Sequence, residues 1–72
     1  MEEQIKYPYS SKTERWMKMF YESLNEKDRR HYAAIEAHKL GHGGITYISE
    51  LLNCARSTIH DALEEFKKKW PS

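Results

Sequence analysis

Residues 48–63 read Ile48-Ser49-Glu50-Leu51-Leu52-Asn53-Cys54-Ala55-Arg56-Ser57-Thr58-Ile59-His60-Asp61-Ala62-Leu63. Apolar side chains at Ile48, Leu51 and Leu52, then at Ile59 and Leu63, fall at helical spacing on either side of Asn53-Cys54-Ala55. Two short amphipathic helices joined by three residues make the pattern of a helix-turn-helix, whose second helix enters the DNA major groove where the motif binds DNA. Asn53 suits the tight turn because Asn tolerates the left-handed backbone. Ala55 falls at the N-cap of the second helix and has no side-chain oxygen, so ~1 kcal/mol of capping is missing there.

Reading towards the N-terminus, His42-Gly43-Gly44 is a short connection, and the third helix spans about residues 45–52. The second helix starts at Asn25, a good cap, with Glu26 and Asp28 in its first turn where acidic groups suit the helix dipole. Ala33, Ala37 and Leu40 recur at i, i+4 and i+7 beside Tyr32 and Ile35, and the small alanines let another helix approach closely. Lys39 favours the last turn, and Gly41 supplies the left-handed residue that commonly ends a helix. A first helix is predicted over residues 11–23, with Ser10 or Ser11 as cap and Glu14 completing a capping box. Its stripe of Trp16, Met17, Met19, Phe20 and Leu24 reads first as core, and otherwise as a dimer face. Residues 1–10 show no periodicity and read as an arm, with a groove or a partner as its alternative contact.

Towards the C-terminus the fourth helix runs from about Arg56 to Lys69, with Ile59, Leu63, Phe66 and Trp70 at i, i+4, i+7 and i+11 and Ala62 on the same face. Lys67-Lys68-Lys69 complement the dipole, and Pro71 stops the helix. The expected fold is therefore all-α: one small bundle of about four helices over residues 11–72. The last three form a homeodomain-like trihelical core containing the helix-turn-helix, and the first packs across it.

Composition narrows the partners. The chain has 72 residues and a formal net charge of +1. Basic and acidic groups are evenly spread: four and four over residues 1–24, four and three over 25–44, and four and four over 45–72. Non-specific affinity for phosphate is thus expected to be weak unless folding gathers the cations on one face. One cysteine, Cys54, excludes an internal disulfide and fits a reducing, cytoplasmic compartment. No signal peptide and no membrane-spanning apolar run is visible.

The residues with chemistry to offer lie around the turn. Arg56, Ser57 and His60 occupy the exposed N-terminal part of the fourth helix, where base edges are read in this motif. Thr46, Tyr47 and Thr58 flank them as candidate phosphate contacts. Lys27, Arg29 and Arg30 read either as phosphate contacts or as a solvated face paired to Glu26, Asp28 or Glu36 at i, i+3 and i+4. His31, His38 and His42 do not make a zinc site, because Gly41 breaks the helix between the last two and Cys54 is the only thiolate available. Gly41-His42-Gly43-Gly44 lacks the lysine and the strand of a phosphate loop. Cys54 at the turn reads as a small apolar plug. No metal, cofactor, small-molecule ligand or catalytic group is expected.

From Leu24 to Phe66 the chain resembles the N-terminal segment of the ISAzo-thirteen family of bacterial insertion-sequence transposases. The resemblance is carried by Leu24-Asn25-Glu26-Lys27-Asp28-Arg29-Arg30, by Glu36-Ala37-His38-Lys39-Leu40-Gly41-His42-Gly43-Gly44-Ile45, by Arg56-Ser57-Thr58-Ile59, and by Trp16 ahead of them. The middle block is the most specific. The resemblance implies a bacterial cytoplasmic DNA-binding module that recognises the terminal inverted repeats of a transposon. It also implies that the DDE-type nuclease core of such transposases lies outside these 72 residues, in an excised module or a short protein that kept only the binding part. The residues leave open a protein-interaction or homodimer module built on Trp16, Met19, Phe20 and Trp70, and a small helix-turn-helix transcriptional regulator. Two departures from the family pattern stand out: Asn53-Cys54-Ala55 in place of Gly, an aliphatic residue and Ser, and Asp61-Ala62 where Arg-Gly is nearer the norm. Asp61 would repel phosphates, yet it can accept from a cytosine amino group.

Overall fold

Four helices follow one another along the chain in the computed structural model, which describes residues 8–71: α1 (Ser11–Ser23), α2 (Glu26–Leu40), α3 (Gly44–Leu52) and α4 (Arg56–Lys69). Their ends follow from local chemistry. Ser10 caps α1, its Oγ accepting from the Thr13 amide at 3.2 Å. The predicted capping box with Glu14 does not form. With Ser10 rather than Ser11 as the cap, Thr13 occupies the third helical position, and the Glu14 carboxylate accepts from the Tyr47 hydroxyl instead. Asn25 caps α2 by accepting from the Asp28 amide at 2.8 Å. Gly41 ends α2 at φ 73°, ψ −136°, outside the left-handed helical well but in a region only glycine occupies freely.

The turn between α3 and α4 follows the expectation from its residues. Asn53 sits at φ 57°, ψ 52°, and the next amide, of Cys54, donates to the Ser49 carbonyl at 3.0 Å. Ala55 has the extended backbone of an N-cap, at φ −73°, ψ 143°, and makes no side-chain capping bond. Ala55→Ser is expected to supply that bond, adding about 1 kcal/mol of stability and raising the melting temperature by about 4–8 °C. Thermal unfolding followed by circular dichroism checks this, and an unchanged midpoint would mean the new hydroxyl does not reach the orphan amides.

The core lies between α2, α3 and α4, with α1 laid against α2 and α3. Ala33, Ala34 and Ala37 of α2 are sealed, as are Ile48 and Leu52 of α3, Ile59 and Ala62 of α4, and Met17 of α1. Small alanines on α2 let α3 and α4 approach it closely, and Ile48 and Ile59 are sealed in the same cluster. Apart from Met17, the apolar stripe of α1 does not form part of the core as its spacing predicts. Trp16, Met19 and Phe20 are exposed at 59, 61 and 53 %, and only Met17 is buried. With two neighbours rather than three, α1 buries one narrow ridge formed by Thr13, Met17, Tyr21 and Leu24. The Phe20 ring meets the edge of Tyr32 at 5.2 Å, and the Lys12 ammonium lies 5.1 Å above Trp16. Ile35 and Trp70, also expected against the core, are exposed at 49 and 66 %. Ala34 takes the inner place on α2, and Trp70 falls beyond the last regular turn of α4.

Polar cross-links hold the helices in register. The Arg29 guanidinium donates to the Tyr21 and Glu22 carbonyls at 3.1 and 2.9 Å, satisfying orphan acceptors at the end of α1. Arg30 and His31 both reach Glu65 of α4, at 3.2 and 3.1 Å. His31, and then Arg30, hold the Glu65 carboxyl below its ordinary range. The arginines therefore bridge to other helices rather than pair along their own with Glu26, Asp28 or Glu36. Tyr9 lies on the helical body, its hydroxyl donating to Glu36 at 3.4 Å and its ring 6.2 Å from that of Tyr47. Residues 1–7 of the expected N-terminal arm fall outside the described residues. Among the described residues no helix is long and apolar enough to cross a membrane.

Candidate nucleic-acid interface

Burial of Ile59 and Ala62 fixes how α4 is rotated. At 3.6 residues per turn, Ser57, Glu64 and Lys68 face most nearly away from them, with His60 and Asp61 about 50° to either side. Arg56 and Lys67 lie on the His60 side of that ridge, and Thr58 and Glu65 on the Asp61 side. Ser57, Asp61, Glu64, Lys68, Arg56, His60 and Lys67 are all exposed. No side chain caps the first amides of α4; the Thr58 amide donates to the Ala55 carbonyl at 3.1 Å, and the Arg56 and Ser57 amides ahead of it leave a partial positive charge beside Arg56.

The predicted site residues fall into separate groups. Arg56 reaches across the turn to α3, its Nη1 donating to Thr46 Oγ1 at 3.4 Å, with both side chains exposed. Ser57 and His60 lie on the same exposed surface of α4. Thr58 turns the other way and, with Glu26, Arg29, Arg30, Tyr21, Cys54 and Ala55, lines a surface cleft of about 380 Å³ beside the start of α4. Tyr47 belongs to neither group. Its hydroxyl donates to Glu14 of α1, and partial burial, reinforced by that carboxylate, raises the phenol above its ordinary pKa. Lys27 is exposed in the first turn of α2, with no partner among the described residues.

One residue on the outer half of α4 was not among the predicted base readers. Asp61 is exposed, one helical turn beyond Ser57, and has no hydrogen-bond or ion-pair partner among the described residues. Its i+4 spacing from Ser57 was the available signal, and it flanks Ser57 on one side as His60, at i+3, does on the other. Glu64, further along the ridge, is paired with Lys67 at 3.4 Å.

The remaining chemistry is structural. Cys54 is half-buried beside Tyr21, and burial pushes its thiol up, away from the reactive thiolate. Burial likewise raises the Tyr21 phenol. Among the described residues no three His, Cys, Asp or Glu side chains gather where they could hold a metal ion. An apolar cleft of about 230 Å³ lies at the opposite end of α4, between Ile35, Leu63, Phe66 and Trp70, with His38, Lys39 and Lys67 at its edge. No protein-family model, curated protein or solved structure matches the chain.

Proposed function

We propose that this chain binds duplex DNA in a sequence-specific way through α4. The observation that carries the reading is the exposed N-terminal half of α4, placed by a three-residue turn and held by Ile59 and Ala62 while its polar side chains stay off the core. Arg56 is the principal reader, able to bond a guanine bidentately, with Ser57 and His60 beside it. Thr46, Thr58 and Lys27 are available to phosphates, which position the helix without reading sequence. Arg29, Arg30 and Tyr47 act at one remove, by tying α2 to α1, α2 to α4 and α3 to α1 respectively. The resemblance of residues 24–66 to ISAzo-thirteen transposases makes the terminal inverted repeats of a transposon the proposed target. In this reading the chain is a binding module, and no catalytic step is assigned to it.

Selection from a pool of random duplexes, with fluorescence anisotropy at low and physiological salt, tests the proposal. The expected result is an enriched motif, salt-sensitive binding, and an Arg56→Ala variant that loses about 1–3 kcal/mol of discrimination at one base pair. Folded protein that retains no duplex and shows no salt dependence would overturn it. A second reading, a protein-interaction or homodimer module, is favoured by the exposed Trp16, Met19 and Phe20. It predicts a melting temperature that rises with protein concentration, and indifference to Arg56→Ala.

A further inference from the structure

Resting on the DNA-binding reading, we infer that Asp61 is a specificity-determining residue that accepts a hydrogen bond from an exocyclic amino group, that of cytosine, in the major groove. Three observations converge on it. Asp61 is exposed on the outer half of α4, flanking the line through Ser57 and Glu64 on one side as His60 does on the other. Its carboxylate has no cation or donor among the described residues, unlike the other two carboxylates of α4, Glu64 with Lys67 and Glu65 with Arg30 and His31. It lies one turn from Ser57 and five residues from Arg56, on a helix whose N-terminal end is the proposed point of entry.

An ionised carboxylate only accepts hydrogen bonds. Against guanine O6 and N7, thymine O4 or a phosphate it meets another acceptor, so those contacts are repulsive. Adenine offers an N6 amino donor but sets the acceptor N7 beside it, whereas the N4 amino group of cytosine has no acceptor next to it on the same base, so cytosine satisfies the carboxylate best. Asp61 therefore discriminates mainly by rejecting the wrong partners. It also lowers the affinity for DNA of any sequence, which accords with a chain whose net charge is only +1. Five residues of helix advance about 7.5 Å, so the guanine read by Arg56 and the cytosine read by Asp61 are expected within about four base pairs of each other.

Random-duplex selection with the full chain, its Asp61→Asn variant and its Asp61→Ala variant decides the matter. Position 61 is exposed, and matching circular dichroism spectra establish that all three are folded. The wild type is expected to prefer cytosine at one position by about tenfold. Asp61→Asn should move that preference towards adenine, which asparagine bonds bidentately, and Asp61→Ala should abolish it. Both variants should bind non-specific duplex more tightly and with steeper salt dependence. An enriched motif identical in all three proteins would overturn this inference while leaving DNA binding intact. No enrichment from any folded sample would overturn both.

Discussion

Gly44→Ala is expected to destabilise the fold by about 2–4 kcal/mol, out of the roughly 4–11 kcal/mol that holds a domain of this size together. A Cβ at residue 44 would sit 2.3 Å from the Ala37 carbonyl oxygen and 2.9 Å from Leu40 Cβ. The first of these atoms is backbone in the last turns of α2 and cannot swing aside. The substitution therefore has to push α3 away from α2, opening the packing around Ala37 and Ile48. Backbone conformation argues the other way. Gly44 is helical, and alanine is the better helix former by about 1 kcal/mol. The sign of the measured change thus decides between intrinsic propensity and close approach. Gly43 and Gly41 provide the contrast: both have positive φ with open space around the added carbon, so alanine costs only backbone strain, about 1–2 kcal/mol at left-handed Gly43 and about 1–3 kcal/mol at Gly41, which lies outside that well. Urea unfolding of the three variants checks the ranking, and a Gly44→Ala midpoint at or above wild type would refute the steric account.

The same glycine shows where sequence reading stops. His42-Gly43-Gly44 looked like a flexible connection, yet Gly43 has a positive φ and Gly44 is the first residue of α3, under the α2 backbone. Two adjacent glycines serve different purposes, and composition cannot separate them. Helix ends were legible because each is set by neighbouring residues: Asn25 accepting from the Asp28 amide, Asn53 turning left-handed, Pro71 following α4. The burial of α1 was not legible, because it depends on how many helices surround it. A stripe of Trp16, Met19 and Phe20 has the spacing of a core face whether or not a third neighbour is present. The destination of the basic residues was hidden for the same reason. Arg30 pairs with Glu65, thirty-five positions away, while the tempting local partners go unused. The residues proposed to read bases were legible as a turn followed by a helix. Which of them point straight outward became clear only once Ile59 and Ala62 fixed the rotation of α4.

Ile59→Ala is expected to cost about 2–5 kcal/mol, because it deletes the largest sealed side chain on α4 and leaves a cavity that α2 and α3 can close only in part. The effect should be large out of proportion to size. Ile48 and Ile59 are the two biggest side chains with essentially no exposure, and half of the other buried positions are alanines that contribute little apolar area of their own. Trp16→Ala serves as the control. It removes a larger side chain, but one already 59 % exposed, and should shift stability by no more than about 0.5 kcal/mol in dilute solution. Loss of structure in Ile59→Ala together with an unmoved Trp16→Ala would establish that the working core is the trihelical one beneath α4. The reverse ranking would place the stabilising contacts on the aromatic face of α1, as an obligate dimer would require. Because Ile59 sits on the inner side of the helix whose outer side carries Ser57 and Asp61, its loss should also weaken duplex binding at temperatures where the variant is partly unfolded. Cooling the variant back into its folded range should restore binding, since no proposed contact to DNA has been removed. Failure to recover in a fully folded sample would mean that Ile59 also sets the pitch at which α4 presents its reading face.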